Sequence, residues 1–311
     1  MNKKKLALTL TITSVLFFAL TSLSCKQDTF FYQIEQETEL EEEVLAGAVT
    51  SVVKFGDKLY ACDGGLYSKT ATKIRGWNHV SKPSGFIVKL AASTDYLYAL
   101  NSDDQIFMKT EASDWKKLSS LGFEGSIQTI FCDGNGKAYL QTKKSVDEEK
   151  VTVYYSFNGE SISEASDVPS SVLSVRGNIL FYVSGKTIVS VDTTNPSATS
   201  SYKLEDDVTI YSISFSVKDL ALYVGTNEGL KKLPVSTTDG LLTGESVSLP
   251  GSNHESTIKD DYDILAVLAT ASDSDTDAAL YCSTIWKGSE HTMVNGLWGY
   301  YYDRRDTWNV E

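Results

Sequence analysis

Lys58-Leu59-Tyr60-Ala61-Cys62-Asp63-Gly64-Gly65-Leu66-Tyr67-Ser68 reads as strand, tight turn, strand. Aliphatic and aromatic residues fill both runs, and Asp-Gly-Gly between them is turn chemistry. The first run recurs. It returns as Tyr96-Leu97-Tyr98-Ala99, Lys137-Ala138-Tyr139-Leu140, Ile179-Leu180-Phe181-Tyr182, Ala221-Leu222-Tyr223-Val224 and Ala279-Leu280-Tyr281-Cys282. The aromatics at 60, 98, 139, 181 and 223 stand 38, 41, 42 and 42 residues apart, and the step to 281 is 58, which implies an insertion in the last unit. A period near 40 residues in strand-rich sequence is that of four-stranded propeller blades.

The other strands of each unit follow from the same signals. First strands are expected to begin near Val49, Phe86, Ile127, Val172, Ile210 and Ile264. Third strands are expected at Gly65-Leu66-Tyr67-Ser68, Gln105-Ile106-Phe107-Met108 and their counterparts in the later units. Fourth strands are clearest at 77–80, 115–118 and 308–310, each opening on Trp. No helix is expected from Val49 onward. One four-stranded sheet cannot bury both faces alone, whereas blades packed around an axis cover each other and leave only short edges. The expected fold is therefore all-β, a six-bladed propeller of four-stranded antiparallel blades. A seven-bladed ring with one poor blade, an open stack and a pair of sandwiches are the alternatives. The long connection 236–264 has room for an irregular element.

The chain opens differently. Lys3, Lys4 and Lys5 precede an uncharged, mostly apolar run at 6–23, then Ser24 and Cys25. This is the layout of a cleaved export signal. It resembles a bacterial lipoprotein signal, which implies that Cys25 becomes the acylated first residue, carrying palmitate-type chains. Ser22 stands where such signals usually have Leu, a relaxed form familiar in spirochaetes. The apolar run is also long enough to span a bilayer, so an uncleaved anchor and a plain secretory signal are the rival readings. The expected organisation is a signal peptide at 1–24, a lipidated cysteine with an acidic tether at 25–47, and the propeller at 48–311. The tether carries Asp28, Glu35, Glu37, Glu39, Glu41, Glu42 and Glu43 against Lys26 alone, too much charge to bury.

Net charge is −13, and loss of the three signal lysines takes it to −16. Such a surface repels phosphate backbones, which argues against nucleic acid as a partner. Membrane contact is expected through the acyl chains, which hold firmly when there are two or more. Cys62, Cys132 and Cys282 remain, with no CxxC pair, and are expected as buried thiols in strands; one disulfide with a leftover thiol is the alternative.

In a propeller of this strand order, the loops between second and third strands share a face with the loops joining blades. That face is expected to collect Asp63, Asp103, Asp104, Asn227, Glu228, His254, Tyr262, Trp286 and His291 as a candidate binding surface, with Trp286 and Tyr262 as exposed aromatics. Loop tips are also polar simply because they are wet. His79, His254 and His291 are too scattered for a metal triad. Asp273-Ser274-Asp275-Thr276-Asp277 starts like a calcium loop but has Ala278 and Thr284 where an EF-hand needs Gly and Glu. No GxSxG elbow and no phosphate-binding Gly-rich loop occurs. No cofactor, metal or catalytic residue is implied.

Two resemblances add to this reading. Thr29-Phe30-Phe31-Tyr32-Gln33-Ile34-Glu35-Gln36-Glu37 and the repeated Leu-Tyr strands resemble spirochaetal, Treponema-type lipoproteins. That resemblance implies an envelope location and a propeller fold, not an activity. Lys109-Thr110-Glu111-Ala112-Ser113-Asp114-Trp115 and Asp303-Arg304-Arg305-Asp306-Thr307-Trp308 are similar to the Asp-box turns of sialidase-like blades, but both lack the Gly. Asp boxes imply blades rather than catalysis, and the four arginines, Arg75, Arg176, Arg304 and Arg305, show no sialidase-type cluster. The expected function is a non-enzymatic, lipid-anchored binding or scaffolding module for an envelope protein or glycan. The alternatives are an envelope glycan hydrolase or lyase, and a factor resembling the eight-bladed lipoprotein propeller of outer-membrane assembly.

Overall fold

Among the described residues, the repeated strand–turn–strand runs fold into twenty-four strands, all in antiparallel sheets. A computed structural model describes residues 45, 47–71, 76–119, 121–252, 258, 261–270, 279–288, 295–302 and 306–311. The chain divides into two compact units, Met1–Glu43 and Val44–Glu311, and the described residues belong to the second. The signal, Cys25, the acidic tether except for Leu45 and Gly47, His254, His291 and the Asp273–Asp275–Asp277 stretch lie outside the described residues.

Six sheets follow one another along the chain. Blade 1 is β1 (Ser51–Phe55), β2 (Lys58–Cys62), β3 (Tyr67–Thr70) and β4 (Asn78–His79). Blade 2 is β5 (Ile87–Ala92), β6 (Leu97–Asn101), β7 (Ile106–Lys109) and β8 (Lys116–Lys117). Blade 3 is β9 (Ser126–Cys132), β10 (Ala138–Val146), β11 (Glu149–Asn158) and β12 (Ser161–Glu164). Blade 4 is β13 (Leu173–Arg176), β14 (Ile179–Ser184), β15 (Thr187–Asp192) and β16 (Asn195–Lys203). Blade 5 has β17 (Ile210–Ser216), β18 (Ala221–Thr226) and β19 (Gly229–Pro234). Blade 6 has β20 (Tyr262–Asp263), β21 (Val267–Ala269), β22 (Ala279–Trp286), β23 (Gly296–Tyr301) and β24 (Trp308–Val310). The expected six-bladed, all-β fold is thus observed.

Two blades depart from four regular strands. In blade 5 the fourth strand is reduced to isolated bridges, Lys232 to Val247 and Val235 to Leu242. This is the irregular element for which the connection 236–264 left room. In blade 6 the first strand is interrupted: β20 and β21 pair with opposite ends of β22. The outer strands were the hardest to read because they are edges. They are mostly exposed and polar, and β16 holds Pro196, which an edge strand tolerates because no neighbour needs its missing N–H.

The period of the aromatics has a packing reason. Each repeated aromatic sits in the apolar cluster between its own blade and the next. Tyr60 packs between blades 1 and 2, Tyr98 between 2 and 3, and Tyr139 between 3 and 4. Phe181 packs between blades 4 and 5, Tyr223 between 5 and 6, and Tyr281 between 6 and 1. Six interfaces carry six clusters, so the ring closes. Full burial of a large apolar side chain is worth about 1.5–3 kcal/mol, and the ring repeats that gain at every interface.

Closure uses side chains rather than a shared sheet, since blades 1 and 6 are each built from one continuous stretch of chain. Leu45 and Val49, just ahead of β1, pack with Ala266, Tyr281 and Leu297 of blade 6. At the outer end of this interface Lys69 of blade 1 forms a fully buried ion pair with Glu311, which follows β24. Lys69 Nζ donates to the Tyr301 hydroxyl at 2.7 Å, and Trp77 Nε1 donates to Glu311 Oε2 at 3.0 Å. Tyr301 in turn donates to Glu311, and Tyr281 donates to Tyr301 at 3.2 Å. The ammonium also lies 4.6 Å from the centre of the Tyr281 ring.

One glycine is demanded by close packing. A Cβ on Gly225 of β18 would stand 2.5 Å from the Ile264 carbonyl oxygen of blade 6. Ile264 donates its N–H to Thr226 at 2.9 Å, so backbones of two blades touch here and no side chain fits between them.

Candidate functional site

The innermost strand of each blade lines the ring axis, so side chains there come from all six repeats. In three of these strands the register slips by one residue, leaving Val88, Gln128 and Tyr211 as extra residues in β5, β9 and β17. Such bulges re-aim the side chains beside them. Lys89, the residue just after the slip in β5, borders the channel.

The axial channel has two connected parts, which share Val53, Cys132, Gly134, Ser174, Ser214 and Leu268. The wide part encloses about 480 Å³ and is walled by the loops between first and second strands, including Gly56, Thr94, Asn135, Arg176, Val217 and Thr270. The narrow part encloses about 110 Å³ and is bordered by Ser51, Lys89, Asp133, Ser171 and Tyr211. The wide end therefore opens on the face opposite to the one carrying the expected candidate residues.

Charges in the channel are few. Lys89 Nζ donates to the Thr50 carbonyl at 2.9 Å. Its side chain borders the open channel, yet protein surrounds it, and loss of solvation pushes its pKa down. The Cys62 and Cys132 thiols beside it oppose that shift only when ionised. Burial pushes the Cys62 thiol up to about 11 and raises Cys132 as well, so both are protonated at neutral pH. Asp133 is buried, with its Oδ1 accepting the N–H groups of Asn135 at 2.8 Å and Lys137 at 3.1 Å. Desolvation raises its pKa more than those hydrogen bonds lower it. Arg176, at the end of β13, lays its guanidinium over the Phe215 ring of blade 5, 4.8 Å from the centroid.

The face proposed from sequence does join the two expected sets of loops. Ile87 donates to the Gly64 carbonyl at 3.1 Å, Ser102 to Phe86 at 2.8 Å and Asn227 to Thr209 at 3.0 Å. Its polar residues mostly hold these loops together. Asp63 Oδ1 accepts the Gly65 N–H at 3.0 Å. Asn227 Oδ1 accepts the Thr209 N–H at 2.5 Å, and its Nδ2 donates to the Asp207 carbonyl at 3.2 Å. The Glu228 N–H is held by Thr226 Oγ1 at 2.9 Å. Asp103 and Asp104 are exposed, and Asp104 borders a separate groove of about 450 Å³ with Gln105, Lys117 and Phe123. Tyr262, expected as an exposed aromatic, is buried: its ring packs 5.2 Å from that of Trp286, inside the blade 5–6 cluster. Trp286 is half-buried for the same reason. Phe86, at 56% exposure, is the large aromatic this face presents. His254 and His291 lie outside the described residues.

Sequence reasoning missed Asn101, which is buried and pins three backbone groups: the N–H of Asp103 and of Gln105, and the Ser84 carbonyl. The Asn-Ser-Asp-Asp run was a legible Asx-turn signal. It also missed Lys89 and Arg176, for which no local motif exists. The three thiols are free, two buried and Cys132 half-buried, as expected. Among the described residues no group of His, Cys, Asp and Glu could hold a metal ion.

Comparison with known proteins places the chain. The profile of the TP013X lipoprotein family matches residues 1–214. An "Uncharacterized lipoprotein" of Treponema pallidum (strain Nichols) is 30% identical over 132 residues, 42% of this chain and 34% of that protein. A second from the same organism is 33% identical over 99 residues, 31% of this chain and 25% of that protein. The matches thus span well under half the length of these curated relatives. The resemblance to Treponema lipoproteins is borne out. Among solved structures, the WD40 repeats of RRP9 align with a TM-score of 0.49 at 10% identity, covering 82% of this chain and 93% of that one. The WD40 propeller domain of Doa1 aligns with a TM-score of 0.46 at 14% identity, covering 77% and 90%.

Proposed function

The chain belongs to the TP013X lipoprotein family, and from that premise we propose that it is an envelope binding module, non-enzymatic and anchored by lipid at Cys25, whose axial channel receives part of a protein or glycan partner. The observation that carries this reading is the convergence of all six innermost strands on one channel with a wide end of about 480 Å³. That volume lies within the usual range of ligand pockets, roughly 300–1,000 Å³. Rim loops held on a stiff ring lose little entropy on binding. Among the described lining residues the one carboxylate, Asp133, is committed to backbone N–H groups, which supports binding over hydrolysis by a carboxylate pair.

The anchor and the channel are tested separately. Metabolic labelling with a fatty acid is expected to mark the wild-type protein and not Cys25→Ala; equal labelling of both would refute lipidation at that residue. For the channel, Asn135→Trp places a large ring on the rim without touching the core, since Asn135 is exposed. It is expected to abolish capture of the envelope partners that wild-type protein retains. Glu228→Ala, on the opposite face, is expected to leave capture intact. The reverse pattern would move the binding surface to the face of Asp103, Asp104 and Trp286.

A further inference from the structure

We infer that the wide end of the axial channel takes a small organic anion through a carboxylate group, with Arg176 as the residue that grips it. The inference rests on the reading that the channel is the binding site, and adds the chemistry of what enters.

Charge is the first argument. The chain has 41 acidic residues against 28 basic ones, yet the wide part is lined, among the described residues, by Lys54 and Arg176 and by no carboxylate. Asp57 and Asp95, in the same set of loops, are not part of the lining. Further in stand Lys89 and Asp133, and Asp133 already spends its Oδ1 on two backbone N–H groups. A cationic recess in an acidic protein concentrates anions there while the outer surface repels them.

Geometry is the second. The Phe215 ring supports the guanidinium of Arg176 from one side. A cation over a ring face takes up none of its hydrogen-bond donors as an acceptor would, and among the described residues no ion pair takes up those of Arg176. The edge of a guanidinium offers two parallel donors, which match the two oxygens of a carboxylate. Among the described residues no carboxylate of the protein lies within ion-pair distance of Arg176 or Lys54. Lys89 stands deeper in the channel, where burial disfavours its charged form and an approaching anion would favour it. Its one hydrogen bond among the described residues leaves donors to spare.

The full chain, held in detergent, is titrated calorimetrically with succinate, D-glucuronate, inorganic phosphate and neutral glucose. Saturable binding of at least one of the two carboxylates is expected, with glucose silent. Arg176→Gln is expected to weaken that binding about tenfold or more, the usual effect of losing a hydrogen bond to a charged group. Asp133→Asn keeps the acceptor for Asn135 and Lys137, removes the one competing charge, and is expected to tighten binding by roughly two- to fivefold. Thermal melts verify that both variants fold. Silence of both carboxylates with wild-type protein, equal affinity in Arg176→Gln, or tighter binding of phosphate than of either carboxylate would each overturn the inference. If Asn135→Trp still abolishes partner capture in that case, the channel remains the binding site and only its chemistry is wrong. If anion binding holds while Asn135→Trp captures normally, the anion site stands and the partner surface lies elsewhere.

Discussion

Lys69→Ala is expected to lower stability by about 3–5 kcal/mol, a fall in Tm of roughly 6–20 °C for a domain of this size. The side chains of Lys69 and Glu311 are both fully buried, so solvent does not screen their attraction. Burial alone would push the Lys69 ammonium toward its neutral form, and Glu311 works against that shift. Removing the lysine strands a carboxylate in the interior, with Trp77 and Tyr301 left as its side-chain donors among the described residues. The double variant Lys69→Met with Glu311→Leu removes both charges and is expected to recover most of the loss, because an apolar pair of similar volume costs no desolvation. Thermal melts followed by circular dichroism read both. A single variant melting within 2 °C of wild type would show that closure of the ring does not depend on this pair.

Tyr98→Ala is the second large effect, expected at about 3–5 kcal/mol. Tyr98 is fully buried between blades 2 and 3. Its ring stacks on Phe157 at 4.3 Å between centroids, and its hydroxyl donates to the Gly159 carbonyl at 3.1 Å. Truncation removes the ring and leaves a cavity that two stiff sheets cannot collapse to fill. Tyr98→Phe keeps the ring and is expected to cost only about 1 kcal/mol, the net worth of one hydrogen bond. Urea denaturation of the two variants separates these terms. Equal losses would mean that the hydrogen bond, not interblade packing, explains the repeated tyrosine.

That repeated tyrosine is why so much of the fold was legible. Tyr60, Tyr98, Tyr139, Phe181, Tyr223 and Tyr281 occupy the same place in six blades, and each contacts the next blade. A structural demand made once per blade leaves one mark per blade in the sequence. Outer strands make no such demand. The register of β12 and β16 is set by backbone pairing with an inner neighbour, so their sequences are polar and carry little pattern. Blade 5 shows the limit of this, with its fourth strand reduced to two bridges.

The candidate site was legible only in part. Asp63, Asn227 and Glu228 stand on the expected face, but Asp63, Asn227 and the Glu228 backbone serve the loops themselves. Tyr262 belongs to a core, because β20 pairs with the far end of β22 and sets Tyr262 against Trp286.

Strand, turn and period are local properties, written in side chains that recur about every 40 residues, and the sequence alone determined them along with the acidic balance of the chain. Other features were settled only by closing the ring. Lys69 meets Glu311 across 242 residues of chain. Lys89, beside a one-residue slip in β5, borders the axial channel together with residues of the other five blades. Arg176 of one blade rests on Phe215 of the next. Such contacts depend on how sheets pack and twist against one another, and no short stretch of sequence encodes which distant side chains then converge.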